Sequence, residues 1–216
     1  MKMQDSKIVG IYLAAGKSSR MGENKLLLPL KNTTLGSLAL NTALTTNLDH
    51  IVVVTKEEDP LDWLDYIFFT SLFVKRWTHV TCAEAKEGQA YSLRRGLQEV
   101  NAMKAEAALV FLADQPFVTV RIMNNLISRY RTILNEGRER DFVAASFKGI
   151  VRPPILFSRN MFPTLEKLEG DMGARKLIRK SFIGNGDTIE YEDERAFFDI
   201  DTREEYEQVK EGIPYK

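Results

Sequence analysis

The sequence contains a single cysteine, Cys82, and only two histidines, His50 and His79. One thiol cannot close an internal disulfide, and no Cys/His cluster has zinc-ligand spacing, so neither a disulfide framework nor a structural zinc organises the chain. Cys82 reads as a small core hydrophobe. Long apolar runs are missing too. The stretch over 8–15 is broken by Gly10 and ends at Gly16, which suits a strand better than a membrane span or a signal peptide and implies a cytoplasmic protein. Charge of one sign is not in excess: 30 Lys plus Arg balance 30 Asp plus Glu, so no global field draws the chain to nucleic acid or to an anionic membrane. Any phosphate binding has to be local. Repeats, low-complexity tracts and linkers are absent, including the hexapeptide period of an appended β-helix.

What is present is 216 residues with 44% hydrophobic and 28% charged content, the range of one α/β domain spanning 1–216 with one core and one site. Residues 8–13 predict a first strand running into a long glycine-containing loop. Thr34 can cap a helix with Leu35, Leu38, Ala39 and Ala43 on one face, and 51–55 predicts a buried strand. A helix over 61–69 and a strand over 79–83 are expected next. Ala90, Leu93, Leu97 and Val100 recur at helical spacing, and the apolar run 107–112 predicts a central parallel strand ending at Asp114. Another amphipathic helix carries Val120, Met123, Ile127, Tyr130 and Leu134, before a strand over 142–147. Beyond Gly149 the turn signals multiply and the pattern becomes α+β: Arg152-Pro153-Pro154, Pro163, Gly170-Asp171 and Gly184-Asn185-Gly186 separate short elements, among them a helix over 172–180. A strand over 196–200 and a capping box, Thr202 with Glu205, open a last helix.

The chemistry concentrates in Leu13-Ala14-Ala15-Gly16-Lys17-Ser18-Ser19-Arg20-Met21-Gly22 with Lys25 beyond it. Small residues after a strand let backbone N–H groups approach a polyphosphate, and Arg20 and Lys25 add the charge that clamps it. Gly22 is followed by Glu23 rather than Lys and Ser/Thr, and Gly16 has no G-x-G-x-x-G context, so P-loop and dinucleotide-fold readings drop. Asp114 stops an apolar strand at the edge of an α/β sheet where ligands bind, and a carboxylate there can hold Mg²⁺, with Asp201 or Asp199 as the second acid. Each has a plainer reading as a turn or helix cap. Gly88, Gln89 and Ser92 open a helix whose N–H groups can meet a base or ribose. Asp171 and Arg175, flanked by Gly170 and Gly173, can form an acceptor side, since an Arg fork grips phosphate. The histidines have no partners in the pattern and read as structural.

The first motif closely resembles the signature of nucleotidyltransferases of the molybdenum cofactor cytidylyltransferase and guanylyltransferase type, the MobA-like NTP transferase family, with the cytidylyltransferase branch the nearer match. The resemblance continues through Gly88-Gln89-Ala90-x-Ser92-Leu93-x-x-Gly96, Ala113-Asp114-Gln115-Pro116, Arg152-Pro153-Pro154-x-Leu156-Phe157, Gly170-Asp171-x-Gly173-Ala174-Arg175 and Asp199-Ile200-Asp201-Thr202, nearly the whole chain. It implies a Rossmann-like, mostly parallel sheet with helices on both faces. It implies magnesium held by Asp114 and by an acid of the Asp199-Ile200-Asp201-Thr202 segment, Asp201 being preferred to Asp199 while the family pattern leaves the choice open, with CTP as donor, a molybdopterin-type acceptor and a molybdenum hydroxylase as recipient of the product. Lys25, Arg20 and Asp114 are then the catalytic set. Leu13, Ala14, Ala15, Gly16, Arg20, Gly22, Lys25, Gly88, Gln89 and Ser92 bind nucleotide, and Arg152, Asp171 and Arg175 the acceptor. Arg152 stands where many relatives carry Gly-His/Pro-Pro variants, which points to a steric role in placing the acceptor. The rivals are a guanylyltransferase, a sugar-phosphate nucleotidyltransferase and a cofactor-binding chaperone without chemistry.

Overall fold

The computed structural model describes residues 6–170 and 185–212. The expected helix over 172–180, with Asp171 and Arg175, lies outside them. Seven strands form one sheet in the order β5-β4-β1-β6-β8-β7-β9. Strands β1 (Ile8–Leu13), β4 (His50–Lys56), β5 (Trp77–Cys82) and β6 (Ala107–Leu112) are parallel neighbours, while β8 (Ile150–Ser158) runs antiparallel to β6 and to β7 (Phe142–Phe147), and β9 (Gly186–Glu190) pairs parallel with β7. A small antiparallel pair, β2 (Pro29–Leu30) with β3 (Thr33–Thr34), stands apart.

The central strands are apolar throughout because both faces are covered. Along β1, Ile8 and Tyr12 join one core and Val9, Ile11 and Leu13 the other. The first core is roofed by α1 (Leu35–Leu44) and α3 (Val120–Asn135), the second by α2 (Gln89–Ala102) and the short α4 (Phe162–Leu165). The expected α/β architecture with helices on both faces is therefore present. Helix α3 buries Ile122, Met123, Leu126, Ile127, Tyr130 and Ile133, a stripe at helical period, and Thr119 caps it by accepting from the Ile122 N–H at 3.2 Å. Two glycines set close approaches. A Cβ on Gly96 of α2 would stand 2.6 Å from Ile11 Cγ2, and one on Gly36 of α1 would stand 2.7 Å from the Trp63 ring.

Four expectations are corrected. Residues 150–158 are a strand, not a set of turns around Arg152-Pro153-Pro154. The ladder with β7 jumps from Ala144↔Ile155 to Ala145↔Arg152, so the two prolines occupy the bulge, where no ladder N–H is needed. The 196–200 strand is instead a 3₁₀ turn, Glu194–Phe197, with irregular chain after it. The last strand comes earlier, at β9. Gly186, read as a turn glycine, is a strand position on which a Cβ would strike the Phe142 ring at 2.0 Å. Finally, 61–69 holds only the 3₁₀ turn Tyr66–Phe69; Leu61 at φ 62° breaks any helix, and Trp63 drops fully buried beneath α1, its Nε1 donating to Asp59 at 3.0 Å. The capping box of the last helix, α5 (Arg203–Lys210), is present, with Thr202 and Glu205 each bonding the other's backbone.

Candidate functional site

At the carboxyl ends of β1 and β6 the chain opens into a cavity of about 510 Å³. Its position is the crevice where open α/β sheets bind ligands. The ladder continues a residue past each strand, with Ala14 N–H donating to Val54 O at 2.8 Å and Ala113 N–H to Leu13 O at 3.1 Å. The chain after β1 then turns tightly. Ser18 takes φ 49°, the Met21 N–H returns to Ser18 O at 3.0 Å, and Gly22 takes φ 72°. Met21 is buried and anchors the turn in the first core. Asn24 accepts from Leu26 N–H and starts a 3₁₀ turn, Lys25–Leu27, which drops Lys25 to 5% exposure.

Lys25 is the hub of the site. Its Nζ donates to Asp114 Oδ2 at 3.0 Å, to Asp201 Oδ1 at 2.8 Å and to the Ile200 carbonyl at 2.9 Å. Burial pushes the Lys25 ammonium down, but the facing Asp114 and Asp201 carboxylates outweigh it and hold its pKa above the ordinary value. Burial likewise pushes Asp201 up, and the hydrogen bond and charge of Lys25, with Arg20, pull it below the usual carboxylate range. Arg20, 65% exposed in its side chain, reaches Asp201 Oδ2 at 2.7 Å. The second oxygen of Asp114, Oδ1, is shut off from solvent with no hydrogen-bond partner, an arrangement that costs free energy unless a cation or donor completes it. Among the described residues no group of three or more His, Cys, Asp or Glu has metal-holding geometry. Two carboxylates with an unsatisfied oxygen fit a divalent cation that takes one or two protein acids and fills its remaining positions with phosphate and water.

The cavity is lined by the expected Leu13, Ala14, Ala15, Gly16, Arg20 and Lys25 on one side. Gly88, Gln89 and Ser92 line it at the start of α2, and Asp114 and Asp201 close it. A Cβ on Gly16 would meet nothing within 4 Å, so that glycine faces open space. Gly88 caps α2 at φ 139°, a conformation only glycine adopts without strain, and Ala90 N–H is taken by Gly170 O at 3.1 Å.

Three expected site residues are not brought into the lining. Gly22 makes the turn without facing the cavity, Asp199 accepts from the buried Gln115 Nε2 at 2.8 Å, and Arg152 sits opposite Ala145 in β8. Conversely, the lining includes Lys17, Ser18 and Ser19 from the motif and Ala85 from the 3₁₀ turn Ala83–Glu87. The motif contained the first three as a string; Ala85 carries no sequence signal. The histidines lie elsewhere, His79 Nε2 against Thr55 Oγ1 at 2.8 Å and His50 Nε2 against Thr78 Oγ1 at 3.3 Å.

Residues 10–186 match the MobA-like NTP transferase domain. The chain belongs to that family. It is a nucleotidyltransferase. The chain is 39% identical over 212 residues to the purine catabolism protein PucB of Bacillus subtilis (strain 168), covering 98% of this chain and 100% of that protein. It is 22% identical to a probable molybdenum cofactor guanylyltransferase of Natranaerobius thermophilus, over 95% of this chain and 96% of that one. Its fold matches the crystal structure of Rv0371c from Mycobacterium tuberculosis H37Rv in complex with manganese, with a TM-score of 0.66 at 24% identity, covering 96% of this chain and 100% of that chain. No helix among the described residues is long and apolar enough to cross a membrane.

Proposed function

We propose that this nucleotidyltransferase moves CMP from CTP to the terminal phosphate of a molybdopterin-type acceptor, releasing pyrophosphate. The observation that carries the reading is Lys25, held between Asp114 and Asp201 at the mouth of a cavity whose other wall is a glycine-containing loop. Phosphoryl transfer of this kind asks the protein for position and charge neutralisation rather than for a nucleophile, and among the described residues the lining offers no activated Ser, Cys or His.

The loop 14–20 cradles the triphosphate with its backbone amides. Lys25 and Arg20 turn from the carboxylates toward the phosphates and neutralise the charge that grows on the α-phosphate and on departing pyrophosphate. Asp114 and Asp201 would hold a divalent ion, magnesium in this reading, which when bound spreads that charge and fixes the triphosphate. The acceptor phosphate attacks in line from the side opposite the leaving group, and no covalent enzyme intermediate forms. The α2 start, Gly88 to Ser92, with Ala15 and Gly16, receives ribose and base. A pocket sized for a pyrimidine can exclude a purine, and a site that hydrogen-bonds one base edge leaves its groups unpaired with the wrong base.

The Bacillus relative's name places it in purine catabolism and the Natranaerobius relative's in molybdenum cofactor chemistry. Together they support a molybdenum hydroxylase acting on purines as recipient of the product. The second name also favours GTP as a rival donor. A panel of the four NTPs with purified cofactor, followed by product mass and pyrophosphate release, separates the readings. A cytidine dinucleotide is expected. A kcat/KM for GTP equal to or above that for CTP promotes the guanylyl reading, and no pyrophosphate with any NTP overturns the acceptor.

A further inference from the structure

Asp201 lies on irregular chain, yet its two oxygens meet Lys25 and Arg20 at 2.8 and 2.7 Å. Something other than a strand has to aim it. From the downstream side Glu205 Oε2 accepts from the Asp201 and Thr202 N–H groups, both at 2.8 Å, tying it to the first turn of α5. From upstream, the segment is stitched to the exit of β6. Ile200 N–H donates to the Asp114 carbonyl at 2.9 Å, and Gln115 Nε2 donates to Asp199 Oδ1 at 2.8 Å.

Gln115 is 2% exposed, and a polar side chain is buried at that depth only when its hydrogen bonds are made. Its amide is neutral, so it grips the Asp199 carboxylate without adding a cation that would compete with Lys25 for Asp201. Asp199, for its part, has an oxygen committed to Gln115 and does not line the cavity, whereas Asp201 does.

We infer that Gln115 is a positioning residue which, through Asp199, holds the 199–201 segment against Asp114 so that Asp201 faces the shared site, and that Asp199 is the anchor of this clamp rather than a metal ligand. The inference rests on the reading of Asp114 and Asp201 as the metal-holding pair. Partners that orient a metal-binding side chain are worth about 10- to 100-fold in metal affinity.

The side chains permit an isosteric reversal: Gln115→Glu with Asp199→Asn keeps both volumes and exchanges donor for acceptor. The readout is Mn²⁺ binding to the folded protein saturated with a non-hydrolysable CTP analogue, followed by electron paramagnetic resonance, with analogue binding in the absence of metal measured alongside. Gln115→Glu alone sets two carboxylates against each other and is expected to weaken Mn²⁺ binding about 10- to 100-fold while leaving metal-free analogue affinity within about twofold. Adding Asp199→Asn should restore most of the loss. Asp199→Asn alone should cost at most about threefold, because an Asn oxygen still accepts from Gln115.

Wild-type Mn²⁺ binding in Gln115→Glu overturns the inference, as does a double variant no better than the single. So does an Asp199→Asn loss as deep as that of Asp201→Asn, which would make Asp199 a ligand. If Gln115→Glu does not fold, the double variant decides alone: wild-type affinity supports the clamp, and affinity at the Asp201→Asn level refutes it. Undiminished Mn²⁺ binding in Asp201→Asn would sink the metal assignment itself, a failure distinct from that of the clamp.

Discussion

The two walls of the cavity are made in opposite ways. One is a single stretch of chain, residues 13–25, leaving β1 through a tight turn whose residues were read in order as one motif. The other is assembled from Asp114, at the exit of β6, and Asp201, 87 residues further on and outside any strand or helix. The contiguous wall supplies backbone amides, space and the cations Arg20 and Lys25; the assembled wall supplies the carboxylates. They meet at two cations of the first wall: Lys25 Nζ bonds three oxygens of the second, and Arg20 reaches Asp201 Oδ2. A local motif can build a cradle, but opposing charges have to be brought from distant chain so that neither collapses onto its own loop.

If this division holds, changes in the assembled wall should strike chemistry hardest. Asp114→Asn exchanges one carboxylate oxygen for an amide with little change in volume, and turnover should fall by at least about a thousandfold with the fold retained. Near-normal turnover at saturating CTP, or wild-type activity that survives EDTA, would remove the acid from the mechanism. Lys25→Ala should cost about a hundredfold in kcat, the scale of one preorganised charge-stabilising donor. It also leaves Asp114 and Asp201 facing each other without their shared cation, so its Mn²⁺ affinity without nucleotide should rise. A fall there would show that Lys25 helps the metal rather than holding its place.

The same contrast explains what was legible in the sequence. The loop after β1 could be read because its residues are neighbours, and the α/β alternation because β1, β4 and β6 are apolar on both faces. Asp114 was visible as the stop of an apolar run. No strand precedes Asp201, contrary to the expectation over 196–200; Glu205, Ile200 and Lys25 hold it instead. The Gln115–Asp199 bond joins residues 84 positions apart and leaves no periodic trace. The prolines of β8 point to turns in the sequence, whereas they occupy a bulge of β8 itself that only its pairing with β7 reveals.

Glycines within the first wall and beneath it sharpen the comparison. Gly16 faces open cavity, so Gly16→Ala should leave Tm within about 1 °C while its methyl, standing where phosphates approach, weakens CTP binding about tenfold. Equal CTP affinity by calorimetry would place the nucleotide elsewhere. Gly96→Ala should do the reverse. Its Cβ meets Ile11 Cγ2 at 2.6 Å, and overpacking of about 1–3 kcal/mol outweighs the ~1 kcal/mol gained in helix propensity. A Tm lower by about 2–4 °C with CTP affinity unchanged is expected, and a raised Tm would mean that α2 slides freely on β1.

The smallest effect belongs to the far edge of the sheet, where the Glu190 carboxylate of β9 adds side-chain hydrogen bonds to β7 and the β7–β8 turn beyond the backbone ladder. Glu190 accepts from Ser146 Oγ at 2.5 Å and from Gly149 N–H at 3.1 Å. The Ser146 hydrogen bond foremost, then the Gly149 one, hold its carboxyl below the ordinary 4.5. A carboxylate whose pKa is lowered on folding contributes stability that is complete above its unfolded value and disappears as pH falls through the folded one. The wild type should therefore melt slightly above Glu190→Gln near pH 7, with the gap shrinking as pH drops below 4.5 and gone once Glu190 is protonated in both states. The side chain is exposed, so added salt should narrow the gap at pH 7 as well. Turnover should not change at any pH at which the wild type is folded, since Glu190 lies outside the cavity lining. A Tm gap that instead widens toward acid would reverse the sign of the linkage and show that Glu190 is held protonated in the folded chain.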